Sequence, residues 1–237
     1  MSYLDLISFG PGGWANLLLA ATAVTLSVAL GGFLLGSVIG TFVAWARLSR
    51  NATMRFVGSS YTTVFRGVPD LLVIYLLYFG GSAALTAIGK ALGAGGFVGM
   101  PTYLTGVLAI GILSAAYQAE VFRGAFLALA PGEVEAGKAV GMSGFLLFRR
   151  IIAPQVLRYA LPGLGNTWQL ALKETALISV VGLVELVRQA QIAAGSTRRP
   201  FEFFITAAAL YLCITFFSSL LFRRAEQHSA RKMGAAL

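Results

Sequence analysis

From Trp14 to Ala46 the chain carries no Asp, Glu, Lys or Arg. A stretch of that length would form a helix about 50 Å long at ~1.5 Å per residue. The hydrocarbon core of a bilayer is only about 30 Å thick, and about 20 apolar residues cross it. Such a run is far too apolar for a solvated helix. It must lie within a membrane, strongly tilted or beginning at the interface. Further charge-free runs follow at Leu71 to Gly89, Thr102 to Ala119 and Phe203 to Phe222, and Tyr159 to Val184 is broken only by Lys173 and Glu174. The composition agrees: 57% of residues are hydrophobic and 11% charged, against about 25% charged in soluble domains. Disordered chains are poor in apolar residues, so disorder is excluded as well. The single cysteine, Cys213, excludes an internal disulfide and a cysteine-ligated metal cluster.

These runs predict an all-α integral membrane protein forming one domain over residues 1–237. Five spans are expected at about 16–46, 69–89, 102–126, 157–184 and 202–222. The net charge of +9 would suit nucleic acid in a soluble protein, but in a membrane chain it marks basic loops on one face, and no nucleic-acid partner is expected. Arg47, Arg50, Arg55 and Arg66 follow span 1. Arg123, Lys138, Arg149, Arg150 and Arg158 follow span 3. Arg223, Arg224, Arg231 and Lys232 follow span 5. The other side holds Lys90, Arg188, Arg198 and Arg199. The positive-inside rule therefore puts the N-terminus outside and the C-terminus in the cytoplasm. The first residues have no basic region leading to a cleavage site, so they read as a short extracytoplasmic tail.

The connection at about 130–156 is too long for a plain connector. Pro131 suits the first position of a helix and Glu133 its first turn. Gly141 suits a left-handed stop, and Ser143 can cap a second short helix. Arg149 and Arg150 would sit near the negative end of that helix, and Pro154 would prevent its simple continuation. Two short helices are thus expected on the cytoplasmic face.

This loop resembles the coupling loop of bacterial ABC importer membrane subunits, with Glu135, Ala136, Gly141, Ile152 and Pro154 at the motif positions. Gly137 stands where the motif has Ala, and Ala153 where Leu usually precedes Pro. The stretches Arg66-Gly67-Val68-Pro69-Asp70, Glu120 to Ala125, Arg158 to Gly163, and Leu172 to Leu177 with Asn166 and Trp168 are also similar to that family, in the same order. The resemblance is strongest to the Q-type subunit of histidine, basic amino-acid and opine importers, and covers about residues 15 to 225. It implies the type I permease fold and a transporter subunit of the bacterial inner membrane rather than an enzyme. The implied partners are a homologous M-type permease, two copies of a cytoplasmic ATPase carrying the ATP and Mg, and a periplasmic binding protein. The chain itself has no Gly-x-x-x-x-Gly-Lys-Ser/Thr phosphate loop, so no cofactor is expected in it.

The resemblance makes Glu133, Glu135, Ala136, Gly137, Gly141, Ser143, Arg149 and Arg150 the candidates for coupling to the ATPase. Asp70, Glu120, Lys173 and Glu174 are candidates for the substrate path, because ionisable groups in spans tend to face a cavity or one another. Glu120 could instead simply pair with Arg123 at i,i+3. Lys173 and Glu174 are about 100° apart on a helix and cannot face one direction. An anionic lining would suit a cationic substrate. Gly32, Gly36 and Gly40 mark close helix packing, and Trp14, Trp45 and Tyr103 interfacial anchors. His228 has no second His or Cys beside it, so no metal site is expected. An ATP-independent channel or an assembly scaffold is the alternative class.

Overall fold

The computed structural model describes residues 3–10, 12–93 and 95–234, with the side chains of residues 3–4 and 230–234 outside the described set. After a short turn at Tyr3–Leu6, helix α1 spans Ala15–Leu48. It contains no proline and meets no charge before Arg47. At 34 residues it is about 51 Å long, so it tilts or overhangs, as its length requires. Ser49 turns extended and ends it.

Helix α2 spans Ala52–Gly67. The Asn51 side chain caps it by accepting from the Thr53 N–H at 2.8 Å. No span is expected here from the sequence, and the helix is shorter and more polar than a crossing needs. After extended Val68 and Pro69, helix α3 occupies Asp70–Ala91, interrupted by a π turn at Leu76–Gly80. Helix α4 spans Thr102–Leu127 behind Pro101 and is the centre of the molecule. Its Ala109, Ile110, Leu113, Ala115, Ala116 and Ala119 have no exposed surface.

α1 lies along α4 in the most extensive helix pair of the fold, and the glycine stripe is the reason. A Cβ on Gly32 would come within 2.6 Å of Ile110 Cβ, and one on Gly36 within 3.0 Å of Ser114 Cβ. Without side chains there, the two helices pack backbone to backbone. Gln118 fastens the seam. Its Nε2 donates to the Phe33 carbonyl at 3.0 Å, and its Oε1 accepts from the Ser37 hydroxyl at 2.6 Å.

Helix α5 spans Pro131–Ala139. Helix α6 runs unbroken over residues 144–174, as Gly144–Leu147, a π turn at Phe148–Ile152, and Ala153–Glu174. This corrects an expectation: Pro154 does not end a separate short helix. It lies in the turn just after the π segment, where the widened ladder accommodates a residue that has no N–H to give. Arg149 and Arg150 consequently stand inside a continuous helix, not at a helix C-terminus.

A 3₁₀ stretch, Thr175–Val181, continues α6 and ends at left-handed Gly182. Helix α7 (Leu186–Thr197) follows, in a region expected to be loop, and helix α8 covers Pro200–Gly234. The last helix thus continues through the basic Arg223 and Arg224 instead of stopping at residue 222. Trp14, expected as an anchor, packs edge-on against Phe203 at 5.9 Å in the core. Trp45 and Tyr103 remain exposed.

Among the described residues, four helices are long and apolar enough to cross a membrane: α1, α3, α4 and Pro200–Ser229 of α8. Helix α6 is not among them. Its buried residues include Gln155, Thr167 and Glu174, and polar residues turned inward lower its apolarity.

Candidate functional site

Two regions hold the candidate residues. The first is the hairpin of α5 and the start of α6. Pro131 and Glu133 open α5 as their types predict. Its end is a Schellman motif: the Met142 N–H donates to the Gly137 carbonyl at 3.1 Å and the Gly141 N–H to the Lys138 carbonyl at 3.0 Å. Gly141 sits at φ 78°, the left-handed conformation expected of it. The Ser143 side chain accepts from the Leu146 N–H at 3.4 Å and starts α6.

The two arms of the hairpin are tied together. Gln155 donates to the Glu133 carboxylate. Gly137 is buried, and a Cβ there would stand 2.5 Å from Leu147 Cδ1 and 2.9 Å from Ile151 Cδ1. The glycine in place of the motif's alanine therefore lets α5 lie flat on α6. Gly137 faces its own chain, while Glu135 and Ala136 are exposed. Between the arms lies an open cleft of about 480 Å³, bounded by Glu133, Ala136, Val140, Arg150 and Ile151 among others. Arg149 is exposed and does not line the cleft.

The second region is inside the helix bundle. Glu174, at the end of α6, is 5% exposed, and neither carboxylate oxygen has a hydrogen-bond donor. Its electrostatic neighbour is Asp70 at the start of α3, close enough for the two carboxyl groups to interact directly. Tyr117 of α4 stands within reach of both acids. The Arg66 guanidinium lies 5.5 Å from the Tyr117 ring centroid, a cation–π distance. Lys173 is exposed while Glu174 is buried, so the two neighbours do face different ways.

Glu120 is engaged differently from its partners on the candidate list. It accepts from Arg47 of α1, from Arg123 at 3.1 Å within α4, and lies 3.5 Å from Arg66 of α2. It is an inter-helix tie with more cations than it can neutralise. The i,i+3 pairing expected from the sequence is present, but as one part of a three-helix cluster.

Three contributors stand outside the residues expected from the sequence. Tyr117 is three residues before Glu120 and shares its helix face, a spacing visible in the sequence. Gln155 had no signal beyond its place beside Pro154. Glu185 has no exposed surface. It caps α7 by accepting from the Val187 and Arg188 N–H groups at 2.9 and 2.7 Å, and accepts from the Tyr211 hydroxyl at 3.3 Å. An acid between two apolar runs, followed by a helix-forming stretch, was the available clue.

A polytopic helical bundle with a short surface helix tied to one of its long helices, and a buried acid beside a partly exposed one within it, has the make-up of a solute permease. The chain belongs to the family of binding-protein-dependent transport system inner membrane components, matched over residues 32–231. It is 58% identical over 231 residues to the octopine transport system permease protein OccQ of Rhizobium meliloti, covering 98% of each chain. It is 40% identical to the histidine/lysine/arginine/ornithine transport system permease protein HisQ of Escherichia coli, covering 86% of this chain and 89% of that one. Among solved structures, an amino-acid ABC transporter with histidines superposes with a TM-score of 0.78 at 32% identity, over 96% of this chain and 99% of that one. The protein is a multi-pass permease component of an ABC importer in the inner membrane.

Proposed function

We propose that this permease carries a basic amino acid or an opine, and that the pair of partly exposed Asp70 and buried Glu174 receives the cationic part of that solute. The observation that carries the reading is Glu174: buried, and with both oxygens lacking a donor. A guanidinium or ammonium would supply those donors and offset the repulsion between the two acids. The named substrates of the two relatives, octopine and the histidine, lysine, arginine and ornithine set, each include a cationic group. Lys173 is the remaining charge on the path, and Glu120 serves it only through the cluster that shapes its border.

In this reading α6 is a fifth crossing, with its polar face inward and the 3₁₀ stretch completing it. The basic ends of α1, α4 and α8 lie in the cytoplasm, the N-terminus outside. The α5–α6 hairpin is the element gripped by a cytoplasmic ATPase, through exposed Glu133, Glu135 and Ala136 with Gly141, Ser143, Arg149 and Arg150 shaping the grip. An M-type permease completes the pathway, two copies of the ATPase hold the ATP and Mg, and a periplasmic binding protein delivers the solute.

The coupling half is tested by Glu135→Arg in the assembled transporter. We expect substrate-stimulated ATP hydrolysis to fall about tenfold or more, since a repulsive charge in a docking contact costs on the order of 1–2 kcal/mol. Full stimulation and full ATPase retention in the variant would sink the coupling role. Uptake without any ATPase would instead support a channel.

A further inference from the structure

We propose that a groove at the Arg47 end of α1 is a binding site for one anionic phospholipid, an acyl chain lying in the groove and the phosphate held by arginines on its rim. The groove encloses about 680 Å³ between three helices: Phe42 and Trp45 of α1, Phe122 and Phe126 of α4, and Phe148 and Leu157 of α6 line it. Its only side-chain hydroxyls are those of Thr41 and Ser49. An apolar furrow of this kind, inside a bilayer, is filled by hydrocarbon.

What singles it out is the charge at its edge. Arg47, Arg50, Arg123 and Arg149 do not line it, but each belongs to the same end of the three helices, next in sequence to lining residues. The Arg55 guanidinium is also at the rim, donating to the carbonyls of Ser49 at 3.1 Å and Arg50 at 2.8 Å. Among the described residues, Glu120 is the one acid in α1, α2 and α4, and it is already shared by three guanidinium groups. Arg50 and Arg149 are exposed and have no ion pair among the described residues. This end of the three helices therefore carries an uncompensated positive charge beside a slot for an acyl chain. A zwitterionic headgroup would bring its own cation to that rim, whereas phosphatidylglycerol or cardiolipin brings only phosphate. Basic pockets between transmembrane helices are sites for such headgroups, and guanidinium–phosphate contacts are strong and directional. Trp45 at the mouth places the site at headgroup depth.

The test uses the full chain in phosphatidylcholine liposomes containing trace phosphatidylglycerol or phosphatidylcholine with a photoreactive acyl chain. Both leaflets hold the probe, so orientation and transported solute do not affect the result. After irradiation, labelled residues are mapped by mass spectrometry. We expect labelling at Trp45, Phe126 and Phe148 to favour the phosphatidylglycerol probe by about fivefold or more. Leu221, exposed beside Arg223 and Arg224 but outside the groove, is the control for general surface charge and should show much less preference. Arg50→Gln with Arg149→Gln should abolish the excess at the groove. Both positions are exposed and unpaired, and gel filtration confirms that the variant stays folded. Equal labelling by the two probes, an equal excess at Leu221, or an excess that survives the double variant would each overturn the proposal. So would a photoreactive residue at Phe148 that captures another protein subunit, rather than lipid, in membranes holding the assembled transporter.

Discussion

A buried carboxylate without a donor is expensive in any protein and more so in a membrane. Glu174 is in that position, and the cost is understandable if a solute supplies the missing donors. Glu174→Gln and Asp70→Asn should each lower uptake of a cationic amino acid by about tenfold, the loss of roughly one favourable charge contact. Radiolabelled arginine and octopine uptake would measure it, and unchanged uptake in both variants would remove the role of the pair. Gly141 gives a second prediction at this scale. Its φ of 78° costs a side-chain-bearing residue about 1 kcal/mol. Gly141→Ala should lower the thermal midpoint of the detergent-solubilised protein, and Gly141→Asn should lower it less, because asparagine tolerates the left-handed region. An alanine variant as stable as the parent would show that the turn can end another way.

Helix α4 is held by two devices of different character, the glycine seam with α1 and the Glu120 cluster. Glu120→Gln leaves Arg47, Arg66 and Arg123 facing one another. With Glu120 at 25% exposure, the cost lies between that of a surface pair and that of a buried one, about 1–3 kcal/mol. Thermal unfolding in detergent should show it, with Glu120→Asp recovering part. A full recovery in high salt would mean the cluster is only surface electrostatics. Much at this scale was legible. The glycine spacing of α1 announces the seam, and Pro131, Gly141 and Ser143 mark their helix ends by local chemistry alone. What was not legible depended on partners far along the chain. Pro154 reads as a stop, yet the π turn before it lets α6 run on. α2 was hidden because its arginines suggest a loop, while Gly58 and Thr62 bury against neighbouring helices. α7 is capped by Glu185, whose burial depends on Thr25 and Tyr211, distant in sequence.

For the whole molecule, sequence and structure agree on a bundle of long apolar helices. They part at α6, expected as the span 157–184: it is not among the helices long and apolar enough to cross a membrane, because its inward polar residues lower its apolarity. The same pattern explains why the acidic pair was visible only as separate charges: Asp70 and Glu174 are brought together by the packing of α3 on the 3₁₀ stretch, which no local spacing encodes. The proposed orientation is checked by single cysteines in a Cys213→Ser background. A cysteine replacing Ser143 should react with an impermeant maleimide only in inside-out vesicles, and one replacing Gly95 only in intact spheroplasts. The reverse pattern would invert the topology.

The uninterrupted course of α6 past Pro154 has a mechanical corollary. From Gly144 to Glu174 there is one continuous helix, about 45 Å long at ~1.5 Å per residue, whose kink positions are the π turn beside Pro154 and the internal Pro162. The packing of this helix along α4 opposes bending at those points, so torque applied at the hairpin would reach the acidic pair as rotation or tilt. Spin labels near the two ends of this shaft should keep a constant separation while each shifts against α1 as nucleotide binds and leaves.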